Sequence, residues 1–395
     1  MQPAGRIDLP PAMAAPGTAR VFEAIAADGA EARFVGGCVR DGLLRRPVKD
    51  IDIATDAEPE RVMRLLESAG LRAIPTGLAH GTVTAVADGS HYEITTLRHD
   101  VETFGRHARV AFTDDWMIDA SRRDFTMNAL FCAIDGTLYD PFGGVGDALA
   151  GHVRFVGDPR ARITEDVLRL LRFFRFQAHY GRTPPEPAAL DACADLAPLL
   201  LRLSGERVQG ELFRLLGAAD PLAVLRLMAD LGIMAHLLPE ATALDRLGRL
   251  LGMAPDRPDP LLRLAALLDV DRAGALRVAE RLRFSNADTD RLVLLAAPPL
   301  DPGSAGLRPA LYRLGPDKLR DIALLHAPGR MAEVEAAIEA WEDPRFPLQG
   351  RDLLDLGIPR GKLVGQLLRD LERWWEDRDY RPGREECLAE LRARQ

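Results

Sequence analysis

A chain of 395 residues is too long for one simple core, so two to four structural units are expected. Hydrophobic residues make up 47% and charged residues 28%, as in a globular protein, and no apolar run suggests a membrane span or secretion signal, so a cytoplasmic location is expected. The net charge of −8 argues against nucleic-acid binding by bulk charge but leaves room for a local basic surface. The four cysteines are widely spaced and form no CxxC pair, so neither disulfides nor structural zinc is expected.

The first third of the chain alternates helices with short strands. Proline and alanine are frequent in residues 1–18, which are predicted to form a disordered leader. Beyond it the patterns predict a helix, then a strand, glycine turn, short helix and strand, then a further helix and a two-stranded hairpin. The first helix falls on residues 19–27, the strand-turn-helix-strand unit on 34–55, the further helix on 59–69 and the hairpin on 81–97.

Two aspartates mark the second strand of the 34–55 unit. Side chains alternate along a strand, so Asp50 and Asp52 project to one face while Ile51 and Ile53 point to the core. Neighbouring carboxylates repel each other unless a cation neutralises them, and hard divalent ions such as Mg²⁺ prefer carboxylate oxygens. The pair therefore predicts a metal site.

A glycine pair precedes this strand. Gly36 and Gly37 follow a short apolar strand and open a helix, where backbone N–H groups can approach a phosphate, and Arg40 lies one turn further on. Each feature alone is weak, because glycine pairs are usually turns and the D-x-D pattern is common in solvated loops. Together, within one unit, they place a phosphate cradle beside a metal site, which is the minimum that nucleotidyl transfer requires.

The hairpin offers a third carboxylate. In its second strand, Glu93 lies on the face opposite Tyr92 and Ile94, and it would reach the aspartates if this strand lies beside theirs. The alternative is an exposed glutamate at a sheet edge. Residues 98–119, which follow, are polar and weakly periodic, and they predict a mobile loop.

The segment Thr164–Phe176 predicts an apolar helix, with its first residue as a candidate N-cap. Asp166, Arg169, Arg172 and Arg175 recur at every third position among Val, Leu and Phe. A helix this apolar is largely buried, so its arginines need anionic or polar partners. Protein carboxylates could serve, but this stretch supplies few, whereas a nucleotide offers a triphosphate and base edges.

These motifs resemble a known family. The segments GGCVRDGLLRRPVKDIDIAT and EDVLRLLRFFR are similar to signatures of the bacterial tRNA nucleotidyltransferase (CCA-adding enzyme) and poly(A) polymerase family. The segments TGLAHGTV and DVETFGRHA resemble its CCA-adding members, and PLQGRDLLDLGIPRGKLVGQLLRDLERWW resembles the C-terminal segment with which they hold the tRNA body. The resemblance runs from about residue 34 to 375 and is weakest over 217–346.

The resemblance implies an α+β nucleotidyltransferase head, with a mixed or antiparallel sheet and helices, followed by all-α neck, body and tail domains. The expected divisions are a leader at 1–18, the head at 19–150, a nucleotide-selecting neck at 151–216, a body at 217–300 and a tRNA-binding tail at 301–395.

The resemblance also implies roles for particular residues. Asp50 and Asp52 would hold Mg²⁺, and Glu93 would support them. The triphosphate would be bound by Gly36, Gly37, Arg40 and Arg123. Asp166 and Arg169 would read the base edge of CTP or ATP, and Arg172 and Arg175 would hold phosphate or support that geometry. The implied partners are tRNA, CTP and ATP, with no membrane and no DNA.

The implied reaction is template-independent addition of CCA to the 3′ end of tRNA, with release of pyrophosphate. One alternative is a poly(A) polymerase with the same head, and another is an enzyme that stops after CC, although the DVETFGRHA segment implies full addition. A non-catalytic RNA-binding protein is a third alternative. It would be expected to have lost its carboxylates, whereas Asp50 and Asp52 are both present.

Overall fold

The computed structural model describes residues 1–104, 107–299 and 306–394, and of residues 100–104 and 107–109 it describes the backbone alone. The chain divides into two compact units, a first unit of residues 1–289 and a second unit of residues 290–395. The boundary expected at residue 300 lies outside the described residues. The finer division of the first unit into head, neck and body remains a prediction.

The first unit begins with a mixed sheet. Its strand order is β1-β10-β9-β2-β3-β6-β5-β4, and β3 and β6 are parallel while the other neighbours are antiparallel. A separate antiparallel pair is formed by β7 and β8. The strands are β1 (Pro3–Arg6), β2 (Ala32–Val35), β3 (Ile51–Thr55), β4 (Arg72–Gly77), β5 (Thr82–Ala87), β6 (Ser90–Thr96), β7 (Arg98–Phe104), β8 (His107–Phe112), β9 (Phe131–Cys132) and β10 (Thr137–Tyr139).

Helices cover this sheet and share its core. Alternation along β3 turns Ile51 and Ile53 into one apolar cluster, with Phe34 of β2, and turns Ala54 into a second cluster on the other face. The helices of this region are α1 (Pro16–Ala26), α2 (Gly37–Leu43), α3 (Pro59–Ser68), α4 (Trp116–Ser121) and α5 (Gly144–Ala150). A short 3₁₀ turn, Thr126–Asn128, lies between α4 and β9. The predicted α+β head is therefore confirmed.

The expected disordered leader at 1–18 is wrong. Residues of β1 pair with β10 at the sheet edge, and Met13 is fully buried in the main core. Composition misled because backbone pairing and one large apolar side chain can order a segment that is otherwise proline- and alanine-rich.

The expected irregular loop at 98–119 also differs. Its backbone forms β7 and β8 and then α4, so backbone pairing supplies an order that hydrophobic periodicity does not reveal. Gly105, in the middle of that segment, lies outside the described residues.

The remainder of the first unit is helical. Proline at the first turn of α6, α8 and α13 costs no hydrogen bond and pre-sets the helical φ angle. The helices are α6 (Pro159–Glu165), α7 (Leu168–Tyr180), α8 (Pro187–Leu196), α9 (Gly205–Leu216), α10 (Leu222–Asp230), α11 (Ile233–Leu237), α12 (Leu244–Met253), α13 (Pro260–Leu267), α14 (Arg272–Arg281) and α15 (Asn286–Ala296), within which the division between the units falls.

The second unit has its own apolar core. Trp375 is buried in it at 2% exposure and Trp374 packs against it partly buried. The described helices are α16 (Leu307–Leu314), α17 (Pro316–His326), α18 (Met331–Glu339), α19 (Gly350–Asp355), α20 (Lys362–Glu376) and α21 (Arg384–Ala393). None of the helices described in either unit is long and apolar enough to cross a membrane.

Candidate active site

The glycine turn brings α2 and β2 against the polar end of the sheet. Gly36 adopts a φ of 70°, the left-handed region that favours glycine, and a Cβ atom there would lie 3.5 Å from Nη1 of Arg123. Arg40, on α2, is nearly buried and donates to Oδ1 of Asn128 at 2.5 Å and to both carboxylate oxygens of Asp41. The predicted strand, turn and helix are therefore present, and Arg40 is held rigidly beside them.

Three carboxylates lie on or directly beside the neighbouring strands β3 and β6. The parallel register of β3 and β6 sets Asp52 directly opposite Glu93, and the exposed Asp50 immediately precedes β3. Burial raises the pKa of Asp52 to about 6, and the charges of Glu93 and Asp50 add to this effect while Arg123 opposes it. The strand of Glu93 thus lies beside β3, which is the condition under which Glu93 can add a third carboxylate.

These carboxylates fit a hard divalent cation that takes its other ligands from water and substrate. Within the described ranges, no cluster of three or more His, Cys, Asp or Glu side chains is assembled closely enough to hold a metal. Mg²⁺ commonly binds through one or two protein carboxylates together with water and substrate phosphates, so a pair such as Asp50 and Asp52 would be enough for such a site. Burial is the main cause of the raised pKa of Asp52, and the repulsion from Glu93 and Asp50 that adds to it would be relieved by a cation.

A cavity of about 740 Å³ opens next to these carboxylates. Among the residues predicted from sequence, Asp50 and Glu93 do not line it, and Asp50 lines an adjoining cavity of about 410 Å³ that shares Asp52. The predicted residues that line the larger cavity are Gly36, Gly37, Arg40, Asp52, Arg123, Asp166, Arg169, Arg172 and Arg175. The fold therefore unites residues that lie more than a hundred positions apart in the chain.

The helix predicted over Thr164–Phe176 is in fact two helices. Asp166 has extended backbone angles, φ −146° and ψ 106°, and its carboxylate accepts from the N–H of Leu168 at 3.1 Å, so α6 ends and α7 begins here. Thr164 is therefore not an N-cap, because it lies in the last turn of α6 and donates to the carbonyl of Arg160 at 2.8 Å. A short acidic side chain that bonds its own backbone competes with helix continuation.

The arginines of α7 contact three different parts of the chain. Positions three apart on an α-helix differ by about 300°, so successive arginines sweep around the helix by about 60°. Arg169 contacts Glu165 of α6 at 2.5 Å, Arg172 contacts Asp124 at 2.6 Å, and Arg175 contacts Glu211 of α9 at 3.0 Å. The scarcity of carboxylates within the stretch was read correctly, but most of the partners come from distant parts of the chain.

These pairs keep the cavity charged and ordered. Burial alone would raise the pKa of Asp124, but Arg172 and the amide of Asn128 outweigh it and hold that pKa below its usual value. Burial lowers the pKa of Arg175 to about 10, although Glu211 opposes the shift, so this guanidinium remains protonated at neutral pH. An incoming phosphate would therefore meet fixed cations that protein carboxylates already balance in part.

Several cavity residues were not assigned from sequence. Arg207 of α9 binds Asp166 at 2.8 Å, and Arg122 is held by the buried Asp119 of α4. Acids and arginines three or four positions apart were a usable signal for Asp119, whereas no local pattern connects Arg207 to Asp166.

The sheet-containing part of the first unit has the fold of a nucleotidyltransferase head, and this enzyme class is in general metal-dependent. Residues 32–154 match the family model of the poly(A) polymerase head domain, and residues 184–244 match the model described as the probable RNA and SrmB-binding site of polymerase A.

Comparisons over nearly the whole chain identify a narrower group of enzymes within the nucleotidyltransferases. CCA tRNA nucleotidyltransferase 1, mitochondrial, of Mus musculus is 35% identical over 394 residues, which cover 95% of this chain and 90% of that protein. The CCA-adding enzyme of Lacticaseibacillus paracasei is 34% identical over 371 residues, covering 89% and 90%. The crystal structure of the Bacillus stearothermophilus CCA-adding enzyme in complex with CTP matches with a TM-score of 0.76 at 29% identity, covering 96% of this chain and 98% of that one. The chain belongs to the family of CCA-adding enzymes, the CCA tRNA nucleotidyltransferases.

Proposed function

We propose that this protein adds CCA to the 3′ end of tRNA from CTP and ATP and releases pyrophosphate. The observation that carries the proposal is the register of β3 and β6, which sets Asp52 opposite Glu93 beside the arginine-lined cavity. The kinship with CCA-adding enzymes over nearly the whole chain supports the choice of substrates.

Asp50 and Asp52 would hold the metal ion, for which Mg²⁺ is the best fit to two carboxylates and phosphate oxygens. When bound, it supplies charge neutralisation at the reacting phosphate and activation of the attacking hydroxyl. Glu93 lies opposite Asp52 in the register and supports the site by adding negative charge.

The basic side of the cavity receives the nucleotide. Gly36 and Gly37 leave room for a phosphate close to the backbone, and Arg40 and Arg123 supply positive charge there. The 3′-hydroxyl of tRNA loses its proton to solvent and its oxygen forms a bond to the α-phosphorus, while the bond from that phosphorus to the bridging oxygen breaks and pyrophosphate leaves with the electron pair. The role of this side of the cavity is to orient the triphosphate and to balance its charge.

The junction of α6 and α7 selects the base. Asp166 offers hydrogen-bond acceptors and Arg169 offers donors, which together can match the Watson–Crick edges of cytosine and adenine. Asp166 is held by Arg207 and Arg169 by Glu165, so both side chains are pre-oriented by protein partners. Arg172 and Arg175 hold phosphate or support this geometry through their own carboxylates.

The test is incorporation into tRNA that lacks its CCA end, in the presence of Mg²⁺ and with CTP alone, ATP alone or both. We expect two C residues with CTP alone, and a terminal A only when both nucleotides are present. Long A tails on unrelated RNA would identify a poly(A) polymerase, and arrest after CC would identify a partial enzyme.

Matched variants show whether the assigned carboxylates carry the reaction. Asp52→Asn should lower incorporation by about a hundredfold or more, because it removes charge at the metal site. Asp88→Asn, which breaks only an exposed ion pair with Arg20, should leave the rate unchanged. Equal activity of Asp52→Asn and the wild type would contradict the assignment, and a folded wild type without incorporation would favour a non-catalytic RNA-binding protein.

A further inference from the structure

A buried carboxylate lies behind the basic wall of the cavity. Asp119, on α4, is 1% exposed and receives two guanidinium groups. Its Oδ1 atom accepts from Nε and Nη2 of Arg122 at 2.8 and 2.6 Å, and its Oδ2 atom accepts from Nε and Nη2 of Arg123 at 3.2 and 2.8 Å. Each carboxylate oxygen thus takes the same edge of one arginine, and Oδ1 also accepts from the backbone N–H of Arg98 at 3.3 Å.

This arrangement leaves the opposite edge of Arg123 for the cavity. Nη1 of Arg123 takes no part in the pairing with Asp119 and lies 3.5 Å from the position that a Cβ atom would occupy at Gly36. The guanidinium also lies over the ring of Phe131, at 5.5 Å from its centroid. A planar guanidinium that is bound along one edge and packed on a ring has little freedom to rotate.

The charges of this cluster do not cancel. One carboxylate faces two guanidiniums, so the cluster keeps a net positive charge at the wall where Arg122 and Arg123 line the cavity. Burial favours the neutral form of Asp119, yet the charges of Arg123 and Arg122 outweigh it and keep its pKa below the usual value. Asp119 therefore stays ionised and holds both arginines without neutralising them.

We propose that Asp119 is a positioning residue for the nucleotide substrate: it fixes Arg123 so that the free edge of this arginine faces the triphosphate next to Gly36. The proposal rests on the proposed function of the cavity. Asp119 itself touches no substrate, because its two oxygens are fully engaged by the arginines and its side chain is buried behind them.

Asp119→Asn tests this role. Asparagine keeps the size but loses the charge, and it presents an amide N–H group to one arginine, so Arg123 should lose its fixed orientation. We expect the KM for CTP and for ATP to rise about tenfold with a much smaller change in kcat, as for the loss of one charge-assisted contact to a bound substrate. Asp115→Asn is the matched control, because Asp115 only caps α4, through the N–H of Met117 at 2.7 Å, and asparagine caps equally well.

A double-mutant cycle separates positioning from general destabilisation. If Asp119 acts through Arg123, then Asp119→Asn should add little to the KM of Arg123→Gln, whereas independent effects would multiply and overturn the proposal. Asp119→Glu should restore part of the affinity because it restores the charge. If Asp119→Asn alone does not fold, the double variant and Asp119→Glu can be measured instead. Neither of them leaves both Arg122 and Arg123 without a counter-charge.

The outcomes distinguish this proposal from the function on which it rests. A wild type that incorporates no nucleotide would contradict the proposed function. If the wild type is active and Asp119→Asn has the same KM values, the positioning role alone is overturned. The same conclusion follows if Asp119→Asn lowers only kcat.

Discussion

The lack of a side chain at one glycine of α5 influences the position of an arginine in the cavity. Gly144, on α5, packs so closely on the 3₁₀ turn that a Cβ atom would lie 2.1 Å from the carbonyl oxygen of Thr126. That turn carries Asn128, whose Oδ1 atom accepts the hydrogen bond from Arg40. The absence of a Cβ atom at Gly144 therefore helps to place an arginine of the cavity.

Gly144→Ala should destabilise the protein by about 1–3 kcal/mol, because the backbone of α5 or of the turn must move to admit the methyl group. The matched variant is Gly146→Ala on the same helix, where a Cβ atom would meet nothing within 4 Å. That change should be neutral or should stabilise by up to about 1 kcal/mol through helix propensity. Thermal unfolding of both variants beside the wild type measures the difference, and equal melting temperatures would contradict the steric argument.

At the scale of elements, one buried acid of α9 pairs with arginines of α7. Glu211 is 3% exposed and contacts Arg175 at 3.0 Å, Arg214 at 3.1 Å and, more distantly, Arg172 at 3.8 Å. The arginine face of α7 is thus oriented by a helix that begins about thirty residues later in the chain.

Glu211→Gln should destabilise the pairing of α7 with α9 by about 3 kcal/mol, because it leaves the partly buried guanidinium of Arg175 without its counter-charge. Hydrogen–deuterium exchange of the α7 and α9 amides reports this directly as faster exchange. Glu206→Gln, at an exposed position in the first turn of α9, should cost less than about 1 kcal/mol. Similar exchange in the two variants would mean that the buried carboxylate does not hold the helices together.

Elements with strong local signals were predictable from sequence. The glycine turn between β2 and α2 and the hairpin of β5 and β6 follow from turn residues and alternation, and the structure confirms both. The break at Asp166 was missed, because a side chain that bonds its own backbone leaves no mark in hydrophobic periodicity.

The partners of the arginines were missed for another reason. Asp124 lies 48 positions from Arg172, and Arg207 lies 41 positions from Asp166. Such pairs depend on how whole elements pack, so a single sequence predicts that a partner is needed but not which residue supplies it.

At the scale of the whole molecule, most of the tryptophan signal comes from the second unit. The chain has four tryptophans, and Trp341, Trp374 and Trp375 belong to the second unit. In this unit Asp352 is buried and accepts from Arg384 at 2.7 Å and from the N–H of Gln349 at 2.6 Å. The hydrogen bond from Arg384, followed by that from Gln349, lowers the pKa of Asp352 to about 2.

This carboxyl group makes the second unit sensitive to acid. A pKa that is lower in the folded than in the unfolded chain adds stability that is fully present above about pH 4 and is lost as the pH falls towards 2. Asp352→Asn should lower stability at neutral pH and should flatten the loss between pH 4 and 2, as measured by tryptophan fluorescence in urea. Asp355→Asn, at an exposed position on the same helix, should follow the wild-type pH profile.

Successive arginines of α7 point in different directions and have different partners. Their positions therefore limit where residues can be inserted into the chain or deleted from it. One residue inserted between Arg169 and Arg172 would rotate everything beyond it by about 100° and would turn Arg172 and Arg175 away from Asp124 and Glu211. The same insertion in the exposed turn at Asp88 and Gly89 would leave both strands of the hairpin in register with their other neighbours. We therefore expect insertions and deletions to be excluded from Leu168–Arg175 and to accumulate at turns such as this one.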